Sequence, residues 1–311
     1  MHRSPLPFTD VHGPDVGHRT GRRSRAAIGL AAGLVVLLLA LAGASPPAAA
    51  AVPDAVPRVI GGRKVPEGKY PFQAALLDLT RGGNDWNMQI CGGSLIAPSW
   101  ILTAAHCVEE GGVVTDPSTA AIVLGRTVLR RPGGERHLVD AIYPSPKYSE
   151  LTDADDVALI HLSVPSAYTP IRVAQRPDDS FEADGTMLTV IGWGDTIPVP
   201  PFVDPTHLFY PQQMMEVRVP VVSDATCGAE YSAAHEPLVM SKTLCAGAPG
   251  TDACFGDSGG PLFATTPTGI VELGIVASGE GCGAPGYAGT YTEVNARSVK
   301  TFIRSTLAAH P

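Results

Sequence analysis

Between residues 72 and 294 the apolar positions come in short runs broken by Gly, Pro, Asp and Ser. Phe72 to Leu79, Ser94 to Thr103, Ala121 to Leu124, His137 to Tyr143 and Val157 to Leu162 form a first group. Met187 to Gly192, Met214 to Val222, Gly260 to Ala264, Ile270 to Ala277 and Gly289 to Val294 form a second. Short β-type runs bounded by turn residues read as antiparallel strands, so the pattern predicts two β units joined by a turn-rich crossover from Val164-Pro165 to Asp179. A helical period occurs convincingly only at the end: Asn295 as the cap, then Val299, Phe302, Ile303 and Leu307 on one face. No internal repeat interrupts this order.

The first residues break the pattern. Ala26 to Ala44 carries no charge and centres on Gly33-Leu34-Val35-Val36-Leu37-Leu38-Leu39, with Arg22, Arg23 and Arg25 before it and the small residues Ala48 to Ala51 after it. A basic flank, an apolar run and small residues predict a secretory signal over 1–51 and an extracellular product. If the run is not cleaved, its length reaches the lower end of what spans a bilayer, and the chain is membrane-anchored instead.

Composition narrows the class. With 44% hydrophobic and 17% charged residues in 311, the chain is a folding sequence, and its 34 Gly and 29 Pro favour turns over long helices, hence an all-β body. The 22 basic residues against 30 acidic ones leave no surplus to neutralise a phosphate backbone, so nucleic acid is excluded as a partner. Six cysteines in an exported chain are expected to oxidise. They stand as Cys91 with Cys107, Cys227 with Cys245 and Cys254 with Cys282, none with the close spacing of a zinc site, although spacing leaves every connectivity open.

Three segments carry chemistry. Gly256-Asp257-Ser258-Gly259-Gly260 sets a serine between glycines, which permits a sharp turn and leaves the N–H groups of Gly256 and Ser258 to face a developing oxyanion. The α/β-hydrolase elbow shares Gly-x-Ser-x-Gly but needs its histidine after the serine, and here only His310 follows. Thr103-Ala104-Ala105-His106-Cys107 holds a histidine at the end of an apolar run, and Asp155-Asp156-Val157-Ala158-Leu159-Ile160 puts acids at the mouth of another. A serine hydroxyl is hardly ionised at neutral pH, so it needs a nearby base, and imidazole is the side chain that titrates there.

In this order and these settings, His106, Asp156 and Ser258 closely resemble the chymotrypsin-fold serine peptidases, and Arg58-Val59-Ile60-Gly61-Gly62 resembles their activation site. The likeness covers nearly all of 59–311. It implies two antiparallel six-stranded β-barrels, at about 59–172 and 173–295, with the active site between them and a terminal helix at about 296–308. It also implies three bridges, Cys91 with Cys107, Cys227 with Cys245 and Cys254 with Cys282.

The same resemblance assigns roles. Ser258 attacks the scissile carbonyl, His106 moves the proton, Asp156 orients the ring, and the N–H groups of Gly256 and Ser258 hold the oxyanion through an acyl-enzyme mechanism. Asp252 takes the base of the specificity pocket, Ala253 beside it lacks a hydroxyl that would help hold lysine, and Gly279 and Gly289 form the walls, which implies cleavage after Arg and, less well, Lys. Residues 52–58 become a short activation propeptide: cleavage after Arg58 frees the Val59 amine to pair with Asp257. Ser278 stands where the family usually has a tryptophan, which weakens extended subsites; Ala277 stands where a serine often supports the catalytic aspartate, which weakens catalysis modestly; and Pro198 to Pro211 is a longer, proline-rich loop. Implied partners are Arg- or Lys-containing proteins and peptides, an activating peptidase and a proteinaceous inhibitor, with the enzyme a monomer. No cofactor or metal is expected, since Arg126 to Glu135, where relatives bind calcium, has Glu135 as its only acid. The alternatives are a catalytically silent secreted binding protein on the same fold and a peptidase cleaving after aromatics.

Overall fold

The computed structural model describes residues 60–205 and 208–310. The expected signal, the propeptide, Arg58 and Val59 lie outside the described residues. In the first half, strands β1 (Gln73–Asp78), β2 (Gln89–Ala97), β3 (Trp100–Thr103), β4 (Ala120–Leu124), β5 (Glu135–Pro144) and β6 (Ala158–Leu162) close into an antiparallel barrel in the order β1-β2-β3-β6-β5-β4. Pairs such as Leu76 with Ile122 join β1 to β4 and complete the ring, which removes the open edges a flat sheet would expose.

The second half repeats the plan. Strands β7 (Met187–Gly192), β8 (Met215–Val222), β9 (Thr243–Ala246), β10 (Pro261–Thr266), β11 (Gly269–Ser278) and β12 (Gly289–Glu293) run in the order β8-β7-β10-β11-β12-β9. Pairing of Val221 with Ala246 and of Val222 with Cys245 closes them. The architecture is all-β, two closed six-stranded antiparallel barrels and a C-terminal helix, as expected. Within the crossover, Arg172–Val173 adds a short parallel pairing onto β11.

The strand sequences explain the closure. Ala-Ala-Ile-Val-Leu of β4 is buried throughout, as a strand covered on both sides must be, whereas β5 alternates buried His137 and Val139 with exposed neighbours. Side chains such as Leu102, Ile122 and Leu159 in one barrel and Val190, Phe263 and Tyr291 in the other belong to one continuous core. Edge-on contacts of Phe263 with Tyr70 and Phe72, at 5.4 and 5.9 Å between ring centres, stitch the barrels together. The three disulfides join Cys91 to Cys107, Cys227 to Cys245 and Cys254 to Cys282.

Four local expectations are corrected. Ser94 to Thr103 is not one strand but the hairpin of β2 and β3, turning at Pro98-Ser99. Apolar residues continue on both sides of that turn and hide it. Strand β9 is only four residues long and falls below what periodicity detects. A helix absent from the sequence reading, α1 (Asp224–Ala233), starts where Ser223 Oγ accepts from the Thr226 N–H and buries only Cys227 and Tyr231, too narrow an apolar face to read as a period. The terminal helix α2 (Arg297–Ala309) begins at Ala296, not at an Asn295 cap. The Asn295 amide donates instead to Asp179, while its oxygen accepts from Lys300 Nζ at 2.6 Å. Among the described residues, no helix is long and apolar enough to cross a membrane.

Candidate active site

A cavity of about 340 Å³ opens between the barrels, with His106, Ser258, Ser278 and Gly279 around it and Asp252 and Gly289 lining its depth. His106 comes from the single 3-10 turn Ala105–Cys107 that follows β3, and the disulfide to Cys91 on β2 fastens that turn. Asp156, 1% exposed, grips the residue twice: one carboxylate oxygen accepts the His106 backbone N–H at 2.9 Å and the other contacts Nδ1 at 2.7 Å. A carboxylate can only accept, so Nδ1 carries the proton and Nε2 of the neutral ring presents its lone pair. Burial works against the imidazolium, but the charge and hydrogen bond of Asp156, with the charge of Asp153 behind them, outweigh it and hold the ring above its usual pKa.

Ser258 arrives from the other barrel on the turn before β10. The turn is seated against barrel one by glycines: the Gly92 N–H donates to the Ser258 carbonyl at 2.7 Å. A Cβ at Gly92 would lie 3.0 Å from Gly260 Cα, and one at Gly259, where φ is +77°, would lie 2.2 Å from Thr103 Oγ1. The backbones approach this closely only without side chains. Gly259→Ala is accordingly expected to lower unfolding free energy by about 2 kcal/mol or more, checked by chemical denaturation.

The turn that carries Ser258 leaves backbone donors unused. Neither the Gly256 nor the Ser258 N–H has a partner among the described residues, while Asp257 N donates to Cys254 at 2.9 Å. The Phe255 carbonyl is held by the Asp195 N–H at 2.7 Å, which turns the Gly256 N–H of the same trans peptide the opposite way. Gln89 Nε2 holds the Gly256 carbonyl at 2.9 Å. The expected contact between His106 Nε2 and Ser258 Oγ is not made in this form. Nε2 lies 3.7 Å from Cys107 Sγ, and Ser258 Oγ has no hydrogen bond among the described residues. Such contacts are commonly long before substrate is bound.

At the depth of the cavity, Asp252 is 3% exposed and accepts from the N–H groups of Ala253 at 2.8 Å and Gly283 at 3.0 Å. Burial pushes its carboxyl up to about 7 against those two bonds. Gly289 faces it so closely that a Cβ would sit 2.4 Å from Asp252 Oδ1; a Cβ at Gly279 would meet nothing closer than 3.5 Å and would project toward Gly289. Gly289 is therefore required by contact, whereas a Cβ at Gly279 would make only ordinary van der Waals contacts.

Beneath Ser258, Asp257 is fully buried and accepts from Gly194 N at 2.8 Å and Cys254 N at 3.1 Å. Burial pushes it, too, up to about 7. A Cβ at Gly192 or Gly194 would fall within 2.4 Å of its side chain, so these glycines, unremarked in the sequence, shape its recess. Their flanking of Trp193 was the available signal. Asp195 and Gln89 escaped notice because their roles are contacts made through space.

A family profile described as Trypsin matches residues 59–303. The chain belongs to the trypsin family. Among curated relatives, "Trypsin" of Saccharopolyspora erythraea is 35% identical over 240 residues, 76% of this chain and 94% of that protein. "Tryptase" of Mus musculus is 34% identical over 249 residues, 76% and 84% of the two chains. "Serine protease 28" of Mus musculus is 33% identical over 233 residues, 72% and 81%. As a trypsin-family member with this site, the protein is a serine endopeptidase acting on protein substrates. In this cleft Ala277 offers Asp156 no hydroxyl donor, both Asp156 carboxylate oxygens contact His106, and Ser278 Oγ bonds to Asp153 and Thr290 at the rim.

Proposed function

We propose that this endopeptidase is exported as a zymogen, activated by cleavage after Arg58, and hydrolyses peptide bonds after Arg and, less well, Lys. The observation that carries the specificity is Asp252: a buried carboxylate at the depth of the cavity, with two backbone donors and no lysine or arginine partner among the described residues. A long cationic side chain reaching it supplies the missing countercharge, and a guanidinium does so through paired hydrogen bonds. Ala253 adds no hydroxyl for a lysine ammonium, which favours Arg.

In the reaction, Ser258 Oγ adds to the scissile carbonyl as His106 Nε2 takes its proton, and the N–H groups of Gly256 and Ser258 receive the oxyanion. Collapse expels the amine, which takes the proton back from His106, and water repeats the sequence on the acyl-enzyme. Asp156, held by two contacts to His106, keeps the ring in the required tautomer.

Residues 1–51 act as the leader and 52–58 as the propeptide, by their basic-apolar-small composition and the Arg58-Val59 junction. The activating peptidase and a proteinaceous inhibitor are the further partners, and the enzyme works as an extracellular monomer. The test is a peptide-library profile of protein beginning at Val59, run beside Asp252→Ser. Cleavage after Arg, then Lys, is expected, with kcat/KM at Arg falling about 10²-fold or more in the variant, the worth of one partner of a shielded ion pair. Preference for aromatic residues, or an Arg preference unaffected by Asp252→Ser, would sink the reading.

A further inference from the structure

Asp153 has no part in the mechanism above, yet its carboxylate stands at the cleft. It lies on the loop that leads to Asp156, at φ +50°, and the loop is anchored nearby by the ion pair of Asp155 with Lys242. Its Oδ2 accepts from Ser278 Oγ at 2.6 Å, a bond that crosses from barrel one to the end of β11 in barrel two. Ser278 is fixed in turn by Thr290, whose Oγ1 accepts from the Ser278 N–H at 3.2 Å and donates to its carbonyl at 2.9 Å. Ser278 and His106 both line the cavity, and the charge of Asp153 reaches the His106 ring. The carboxylate is thus bonded to one cavity-lining residue, Ser278, and acts electrostatically on another, His106. Among the described residues no lysine or arginine pairs with it. It is partly exposed, and burial together with the nearby Asp156 raises its pKa, so a cation placed there would relieve both.

A substrate with its cleaved residue reaching Asp252 and its carbonyl at Ser258 must run its acyl-side chain past Ser278. The preceding residue then passes beside Ser278, where the rim offers a hydroxyl and, bonded to it, the Asp153 carboxylate. We propose that Asp153 is a specificity-determining residue that selects Lys or Arg immediately upstream of the cleaved residue, so that the enzyme acts at paired basic residues. This rests on the Arg reading of Asp252 and adds a second acidic subsite to it.

The test uses protein beginning at Val59 and peptides cleaved after Arg, with Arg, Lys, Ala, Leu or Glu in the preceding position. Upstream Arg or Lys is expected to raise kcat/KM about 10-fold over Ala, the size of one charge-assisted hydrogen bond in a partly shielded site, with Glu below Ala. Added salt should shrink the ratio, as it would not for a purely steric effect. Asp153→Asn keeps an acceptor for Ser278 and a residue that tolerates positive φ, and is expected to remove the basic-over-Ala ratio. Equal rates for basic and Ala peptides in the unaltered enzyme, or a basic preference that survives Asp153→Asn, would overturn the proposal. If no peptide is cleaved after Arg at all, the Arg reading of Asp252 fails first, and the two failures are told apart.

Discussion

Ser258→Ala in protein beginning at Val59 is expected to lower kcat on an arginyl ester by about 10⁶-fold, the scale set by removing the nucleophile from a coupled catalytic unit. The fold gives the reason for so large an effect. Asp156 fixes the His106 ring with Nδ1 protonated, and the turn before β10 leaves the Gly256 and Ser258 N–H groups without partners among the described residues. Each part serves a covalent step that alanine cannot perform. Binding should persist, because Asp252 is untouched. An arginyl peptide bound to this variant therefore isolates the pocket from the chemistry. Asp252 sits at about 7 when buried without a cation, and a guanidinium favours its charged form. Affinity is therefore expected to be full above that value and to weaken as pH falls through it. Calorimetric titration from pH 5 to 8 reads this directly. Hydrolysis undiminished by Ser258→Ala would overturn the assignment of Ser258 as the nucleophile.

Cleavage after Arg58 is expected to raise activity on the order of 10³-fold, about what one misplaced oxyanion donor costs. Asp257 underlies this expectation. Its carboxylate lies one residue from the nucleophile, buried, with two backbone donors. Ile60, 1% exposed, packs with Val199 and the Cys254–Cys282 bridge, and its carbonyl accepts from Asp252 N at 3.3 Å. The residue before Ile60 in the chain is Val59, so cleavage after Arg58 would leave the new amino group one residue ahead of this buried anchor.

The pH dependence has a definite sign. Asp257 in this form has a pKa near 7, above its unfolded value, so the folded state keeps its proton longer and stability falls as pH rises from about 4 to about 7. Pairing with the Val59 ammonium removes that loss. The gain in Tm of the processed protein over the precursor should therefore grow across this window. The amine's own pKa is raised by the pair, so its contribution is complete below about 8 and disappears as pH climbs through the elevated value. Melting both forms from pH 4 to 10 checks the profile. Processed Asp257→Asn should lose most activity while remaining folded. An active enzyme that retains residues ahead of Val59 would refute the mechanism.

The order of strands, the β class and the three chemical segments were legible along the chain because each is local. Alternating burial has a period of two residues, and turns announce themselves through Gly and Pro. Where local signal ran short, reading failed. Helix α1 buries two residues only, and the turn at Pro98-Ser99 is just two residues between apolar flanks, too short an interruption to separate the strands by pattern. The bridges and roles came through likeness of motif, since spacing left the pairings open.

What the sequence determined by itself is therefore the composition of each strand and the identity of the groups available for chemistry. Barrel closure decided which of them meet. His106 reaches Asp156 across 50 residues of chain, and Asp153 reaches Ser278 across 125. Only the folded structure set Asp252 and Asp257 in recesses that raise their carboxyl groups to near neutrality, because desolvation depends on every neighbour that excludes water and not on the residues beside them in the chain.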